Sequence, residues 1–313
     1  MSSLIEQAAL RLEQLRQAGV VLPEMEVSSS AFAPGVFAAA APISPAPYAN
    51  QQREPIANSR RVELNLDAIA ASGIVTPSAP RSTVADQFRV LKRPLIANAV
   101  GKGAAMLTHG NLIMVTSAMA GEGKTFTSVN LAMSIAAELD HTVMLVDADV
   151  ARPSVLRALG LPPGPGLLDV LERKVELSDV LLKTNVDKLT ILPSGSPHAK
   201  ATELLASDAM SALLDDMATR YPDRIIIFDS PPLLLTTESR VLASHMGQIV
   251  VVVAAGRTLQ AAVQQALDTI ESCPVRMLVL NKARMDSKAY GYGYGYGYGY
   301  GYGASATQEQ PEG

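Results

Sequence analysis

Six apolar runs set the frame for this chain: "LIMVTS" from Leu112, "TVMLVD" from Thr142, "LTILPS" from Leu189, "RIIIFD" from Arg224, "IVVVVA" from Ile249 and "RMLVLN" from Arg276. Helical stretches such as "TSVNLAMSIAAEL" and "LQAAVQQALDTIE" lie between them. A strand that is apolar at nearly every position is buried on both faces, which requires helices packed above and below it. Alternation of such strands with helices dictates an α/β fold, a doubly wound and mostly parallel sheet with helices on both faces. In such a sheet ligands collect at the carboxyl ends of the strands, so the chemistry should lie just after each run.

The first run is followed by "SAMAGEGKTFTSVNLA". Ala118, Met119, Ala120, Gly121, Glu122, Gly123, Lys124 and Thr125 fit the phosphate-binding loop pattern, with Ala118 where a glycine is usual, and Phe126 follows in the helix. Glycines let backbone N–H groups turn inward around phosphates, and the helix that follows presents its positive end. Lys124 would neutralise the β- and γ-phosphates of ATP, and the Thr125 hydroxyl would hold Mg²⁺. A plain glycine turn between strand and helix leaves the Lys-Thr pair unexplained. Asn281, closing the last run, falls on the same sheet edge and is assigned to the nucleotide with the loop.

The second run ends in "VDADVARPS", where Asp147 and Asp149 can point carboxylates at one site. Beside bound phosphates such acids ligate the metal or take a proton; otherwise they cap the following helix. Asp229, at the end of "RIIIFD", supplies a third acid with a metal-associated role. His109, His141, His198 and His245 show no metal-ligand spacing, so no zinc is expected.

Outside this region the chain changes character. Residues 1–20 read as an amphipathic helix with Leu4, Ile5, Ala8, Leu12 and Leu15 on one stripe, suited to docking. Residues 21–61 are rich in Ala, Pro and Ser and read as a disordered linker. A helical lead-in, 62–110, holds a short helix closed by Gly73 and a second one capped by Ser82 or Thr83 with Pro94 near its end. The nucleotide-binding domain covers 111–288. In the tail, 289–313, tyrosines alternate with glycines at Tyr290, Tyr292, Tyr294, Tyr296, Tyr298, Tyr300 and Tyr302. Gly at every other position disfavours a strand, and the sequence offers no pairing partner, so a mobile tail with exposed phenols is expected. A low-complexity association tail is the alternative.

A net charge of −4 makes no electrostatic case for nucleic acid or an anionic membrane. The single cysteine, Cys273, fits a reducing compartment. No apolar run approaches the length of a membrane span, and no signal peptide is visible, so a cytoplasmic location is expected.

Together, "AMAGEGKT", "LVDADVARP", "IIIFDSPP" and the tyrosine cluster resemble the signatures of bacterial tyrosine autokinases of exopolysaccharide export. The likeness covers roughly Thr83 to Gly303 and is closest to the cytoplasmic type, whose membrane activator is a separate protein. It implies ATP-dependent phosphorylation of the tail tyrosines, with Lys124 and Thr125 on phosphate and Mg²⁺. Asp147 would act on the tyrosine hydroxyl and near the metal, and Asp149 and Asp229 would complete the acidic cluster. The resemblance also implies a homo-oligomer, a ring, and a role in exopolysaccharide chain length. Its implied partners are a membrane-embedded chain-length regulator that recruits the chain to the inner membrane face, and a tyrosine phosphatase. The family's oligomerisation signature is echoed by Asp86, Arg89 and Lys92, with a solvated helix face as the alternative. Ala151 stands where the family carries arginine, and Arg152 follows it with no role assigned.

The same fold class serves ATPases that position septa or partition plasmids without kinase activity. Those carry an extra lysine in the loop, where this chain has Met119.

Overall fold

The computed structural model describes residues 60–77, 82–103, 106–220 and 223–283. The expected helix at 1–20, most of the linker and the Tyr-Gly tail lie outside the described residues. All eight strands join one sheet in the order β1-β4-β5-β3-β6-β2-β7-β8. They run Arg60–Val62 (β1), Leu112–Ser117 (β2), Thr142–Asp147 (β3), Leu182–Thr184 (β4), Leu189–Leu192 (β5), Arg224–Asp229 (β6), Gln248–Ala254 (β7) and Val275–Asn281 (β8). Every pairing is parallel except β4 with β5.

The central strands β2, β3 and β6 are buried along almost their whole length, as both-face burial demands. One face carries the cluster around Met114, Met144, Phe228 and Val251, packed by the helices Leu167–Leu171, Asp208–Arg220 and Gln260–Asp268. The opposite face carries Ile113, Leu145, Ile227 and Val250, packed by the helices Leu66–Ala71, Thr83–Ala99 and Lys124–Ala136.

The structure departs from the sequence reading in four places. Arg60 and Arg61, expected in the linker, form most of edge strand β1, which pairs with β4. Both β1 and β4 are three residues long and carry charged side chains, so neither shows an apolar run. The helix begun by Ser82, whose side chain accepts the N–H of Ala85, runs five residues past Pro94 to Ala99. Pro94 leaves the carbonyl of Val90 without a helical donor, but Val90 lies on the solvent side, 73% exposed, where water can serve. Beyond it, Leu95 is buried, and its carbonyl accepts Gln248 Nε2 while Asn98 Nδ2 donates to Gln248 Oε1. Finally, β8 alternates half-buried and exposed residues instead of being covered on both faces, because it ends the sheet.

Candidate functional site

The loop after β2 is shaped by two left-handed glycines, Gly121 at φ 79° and Gly123 at φ 104°. At Gly123 a Cβ would also come within 2.1 Å of Asn281 Nδ2, so both conformation and space call for glycine. The loop is braced from the side of β7 and β8. Asn281 Nδ2 donates to the carbonyl of Glu122 at 2.8 Å, and Lys282 Nζ donates to that of Gly121 at 2.6 Å. The Glu122 carboxylate is buried and accepts the N–H of Met119 at 2.6 Å, the N–H of Ala254 at 3.2 Å and the hydroxyl of Thr258. Glu122 and Asn281, expected on the nucleotide, therefore commit their side chains to the loop itself. Ala118 is wholly buried beneath it.

On the other side the three acids converge. Parallel register places Asp147 of β3 beside Asp229 of β6. Asp229 receives the hydroxyl of Thr125 at 2.6 Å on one oxygen and lies 2.9 Å from the Ser128 hydroxyl on the other. Asp147 accepts the N–H groups of Ser154 and Val155, each at 2.9 Å, on Oδ2, while its Oδ1 is buried with no hydrogen-bond partner. Burial, then the negative charge of Asp229, pushes Asp147 up to about 7. Asp229 is pushed up to about 6 by burial, against the pull of the Thr125 bond and of Lys124. Asp149 is also raised by burial, which outweighs the nearby ammonium of Lys124, 3.8 Å away.

A cavity of about 540 Å³ opens over this cluster, lined by Ala120, Gly121, Gly123, Lys124, Thr125 and Phe126 on the loop side and by Asp149, Arg152 and Arg157 opposite. A second cavity of about 340 Å³ lies on the flank of Met119, between the loop and Arg257 to Leu259. Sequence reading missed Ser154, whose Oγ lies 2.8 Å from Thr125 Oγ1 and whose N–H holds Asp147. Its one signal was its place in "ARPS", just beyond the two acids.

Among the described residues no three His, Cys, Asp or Glu side chains form a metal-binding group on their own. One hydroxyl beside two acids, one of them with a bare oxygen, suits Mg²⁺, which keeps waters and takes its remaining oxygens from substrate phosphates.

The Asp86, Arg89 and Lys92 trio is divided. Asp86 and Arg89 pair with each other on the exposed face. Lys92 is turned inward, its Nζ 2.6 Å from Glu138 and bonded to the carbonyl of Ser134. It ties its helix to the one that follows the loop, and is not available as an assembly contact.

Residues 110–281 match the AAA domain family model. The chain is similar to the tyrosine-protein kinase CpsD of Streptococcus agalactiae, 31% identical over 187 residues that cover 58% of this chain and 80% of that one. It is also similar to the tyrosine-protein kinase YwqD of Bacillus subtilis, 29% identical over 205 residues, covering 66% and 83%. Among solved structures, the VpsO kinase domain superposes with a TM-score of 0.52 at 28% identity, covering 65% of this chain and all of that one.

Proposed function

The chain belongs to the bacterial tyrosine-protein kinases built on an AAA domain, and from that premise we propose that it is an autokinase that transfers the γ-phosphoryl group of ATP to its own tyrosines at 290–302. The observation that carries the reading is the bare oxygen of Asp147. A buried carboxylate with a free Oδ1 and a pKa near 7 is poised to accept a proton at neutral pH.

In this reading the phosphates follow the loop into the larger cavity, and the smaller cavity beside Met119 gives room for the rest of the nucleotide. Lys124, held between loop and acids, sits over the β- and γ-phosphates. Thr125 and Asp229 would hold Mg²⁺ with Asp147 beside it, its Oδ1 left free for the proton, and the ion neutralises charge on the phosphates when bound. The incoming phenol oxygen bonds to the γ-phosphorus, its proton passes to Asp147 Oδ1, and the bond to ADP breaks. Asp149 sets the position of Lys124. Arg152 and Arg157, on the wall facing the loop, are placed to meet an anionic or aromatic substrate.

Transfer runs between subunits of a homo-oligomer, through the face that bears Asp86 and Arg89. The likeness of its motifs to those of the exopolysaccharide-export autokinases supports a role in polysaccharide chain length. We place the chain in the cytoplasm, with a membrane-embedded chain-length regulator as activator and a tyrosine phosphatase as antagonist. Met119, standing where a partition-type ATPase would carry lysine, speaks against the switch-ATPase reading.

The test mixes a Lys124→Met chain retaining its tyrosines with an active chain cut after Ala289, in Mg-ATP. Phosphotyrosine on the inactive chain is expected. None there, with none on full-length wild type alone, refutes the autokinase reading; none there with a modified wild type refutes transfer between chains.

A further inference from the structure

Of the sheet's two end strands, β1 has three residues and β8 has seven. Among the described residues β8 pairs with β7 alone, so its outward N–H and C=O groups face no strand. Such an edge is a template for another extended segment. Its two faces differ. Met277 and Val279 pack toward the core, whereas Leu278 is 53% exposed and Leu280 65% exposed. Beside those two leucines an apolar groove of about 630 Å³ runs between β8 and the helix Gln260–Asp268, with Val253, Val263 and Leu267 along it. Immediately after the strand, Lys282 takes a φ of 59°, the left-handed backbone that starts a turn and does not continue an extended run.

We propose that this edge and groove are the docking site of the chain's own Tyr-Gly segment, residues 290–303, which adds antiparallel to β8 and lays its phenol rings over Leu278 and Leu280. The sequence offers the segment no partner, but the fold does. Its strict period of two puts every ring on one face of a strand and leaves the other face bare. Directly opposed residues of an antiparallel pair share a face. With Tyr292 opposite Leu280, Tyr294 falls opposite Leu278 and Tyr296 opposite Arg276, while Gly293 and Gly295 lie opposite Val279 and Met277. Ring and guanidinium are then neighbours, and the glycines leave the core-side face free of new bulk. A slip of two residues preserves this match and a slip of one destroys it, so the repeat supplies several equivalent registers.

The intervening stretch argues for this occupant over a separate partner. Only residues 282–289 separate strand from segment, and a tether that short gives a local concentration of order millimolar. Residues 290–303 carry no charge, so an apolar groove does not penalise them. Each phosphate would add about −1.5 to −2 charges, and several of them exceed what the single guanidinium of Arg276 offsets beside an apolar groove, so modification evicts the segment. That release step rests on the autokinase reading; the docking does not.

Cysteine pairing in the full chain tests both parts without ATP, with the native Cys273 buried. Leu280→Cys is combined in turn with Tyr292→Cys, Gly293→Cys, Tyr294→Cys and Gly295→Cys, and intrachain disulfide formation is timed. The two tyrosine positions should close at least about fivefold faster than the two glycine positions, because opposed residues on one face meet disulfide geometry. Equal rates at all four overturn strand pairing, and disulfides that join two chains overturn the intramolecular site. In the Leu280→Cys/Tyr292→Cys chain, Tyr→Glu at the other six tyrosines should slow closure at least about fivefold, and Tyr→Phe should not. Equal rates for the Glu and Phe sets overturn eviction by charge.

Discussion

Two buried carboxylates flank the phosphate loop, and they differ in what their oxygens touch. Glu122, on the side of β7, receives donors on both oxygens from Met119, Ala254 and Thr258. Asp147, on the side of β6, has two donors on Oδ2 and none on Oδ1, and faces a second carboxylate. A buried charge that is fully bonded holds structure together, whereas one left partly bare is unstable by itself and stays available to a ligand. The comparison teaches where to divide this site: one flank fixes the loop's shape, and the other keeps an oxygen free, as the proposed proton transfer requires.

The sharpest way to break that division is Asp147→Asn. The amide cannot take the phenol proton, so phosphotransfer should fall about 10²–10⁴-fold while nucleotide still binds. A rate within about threefold of wild type would show that Asp147 has no part in the transfer.

The same substitution should have the opposite sign on stability. The folded pKa of Asp147 is raised from 3.8 to about 7, so its contribution to stability is present at acid pH and lost as pH rises through that interval. Asp147→Asn should therefore raise the Tm of nucleotide-free protein at pH 8 by at least about 4 °C. The gain should shrink to less than half at pH 5. Scanning calorimetry across pH 5 to 8 checks both, and a lower Tm at pH 8 contradicts the uncompensated charge.

Glu122→Gln should behave as the reverse case. Replacing one acceptor oxygen by a donor sets an amide NH2 against the N–H of Met119 or that of Ala254, which costs about 1–3 kcal/mol and lowers Tm at every pH. With nucleotide saturating, phosphotransfer should drop by less than about tenfold, or 1.4 kcal/mol. A loss as deep as that of Asp147→Asn would erase the distinction between the flanks.

The smallest effect on stability is expected on the helix Thr83–Ala99, where the contrast recurs between satisfied Lys92 and exposed Arg89. Arg89→Ala removes an ion pair that is solvated on both sides and should change stability by a few tenths of a kcal/mol at most. Its expected effect is on assembly, read as a lighter species in sedimentation. A marked fall in Tm with unchanged assembly would reassign Arg89 to the fold.

What could be read in advance follows from how local each signal is. The bounds of β2, β3 and β6 coincide with their apolar runs because burial on both faces permits little else. The shape of the loop was legible because Gly121 and Gly123 permit the left-handed backbone that joins β2 to the helix after it. Strands β1 and β4 escaped notice because three residues that include charged, partly exposed side chains carry no apolar pattern. The inward turn of Lys92 was invisible because a lysine stem suits either face of a helix, and its partner Glu138 lies 46 positions on. The bracing role of the Glu122 carboxylate was invisible for the same reason, since Thr258 stands 136 residues away and nothing near Glu122 announces it.

The bonds from Asn281 and Lys282 to the loop carry a consequence for how the molecule is made. Glu122 and Asn281 are 159 positions apart, and Gly121 and Lys282 are 161 apart. At about 5–20 residues per second, a ribosome takes roughly 8–32 s to add that interval. The nascent chain can build β2 and its helix long before the two side chains that brace the loop have emerged. Competence to hold nucleotide is thus acquired late in translation, when β8 closes the sheet, and a ribosome stalled before residue 281 would display a domain unable to engage it.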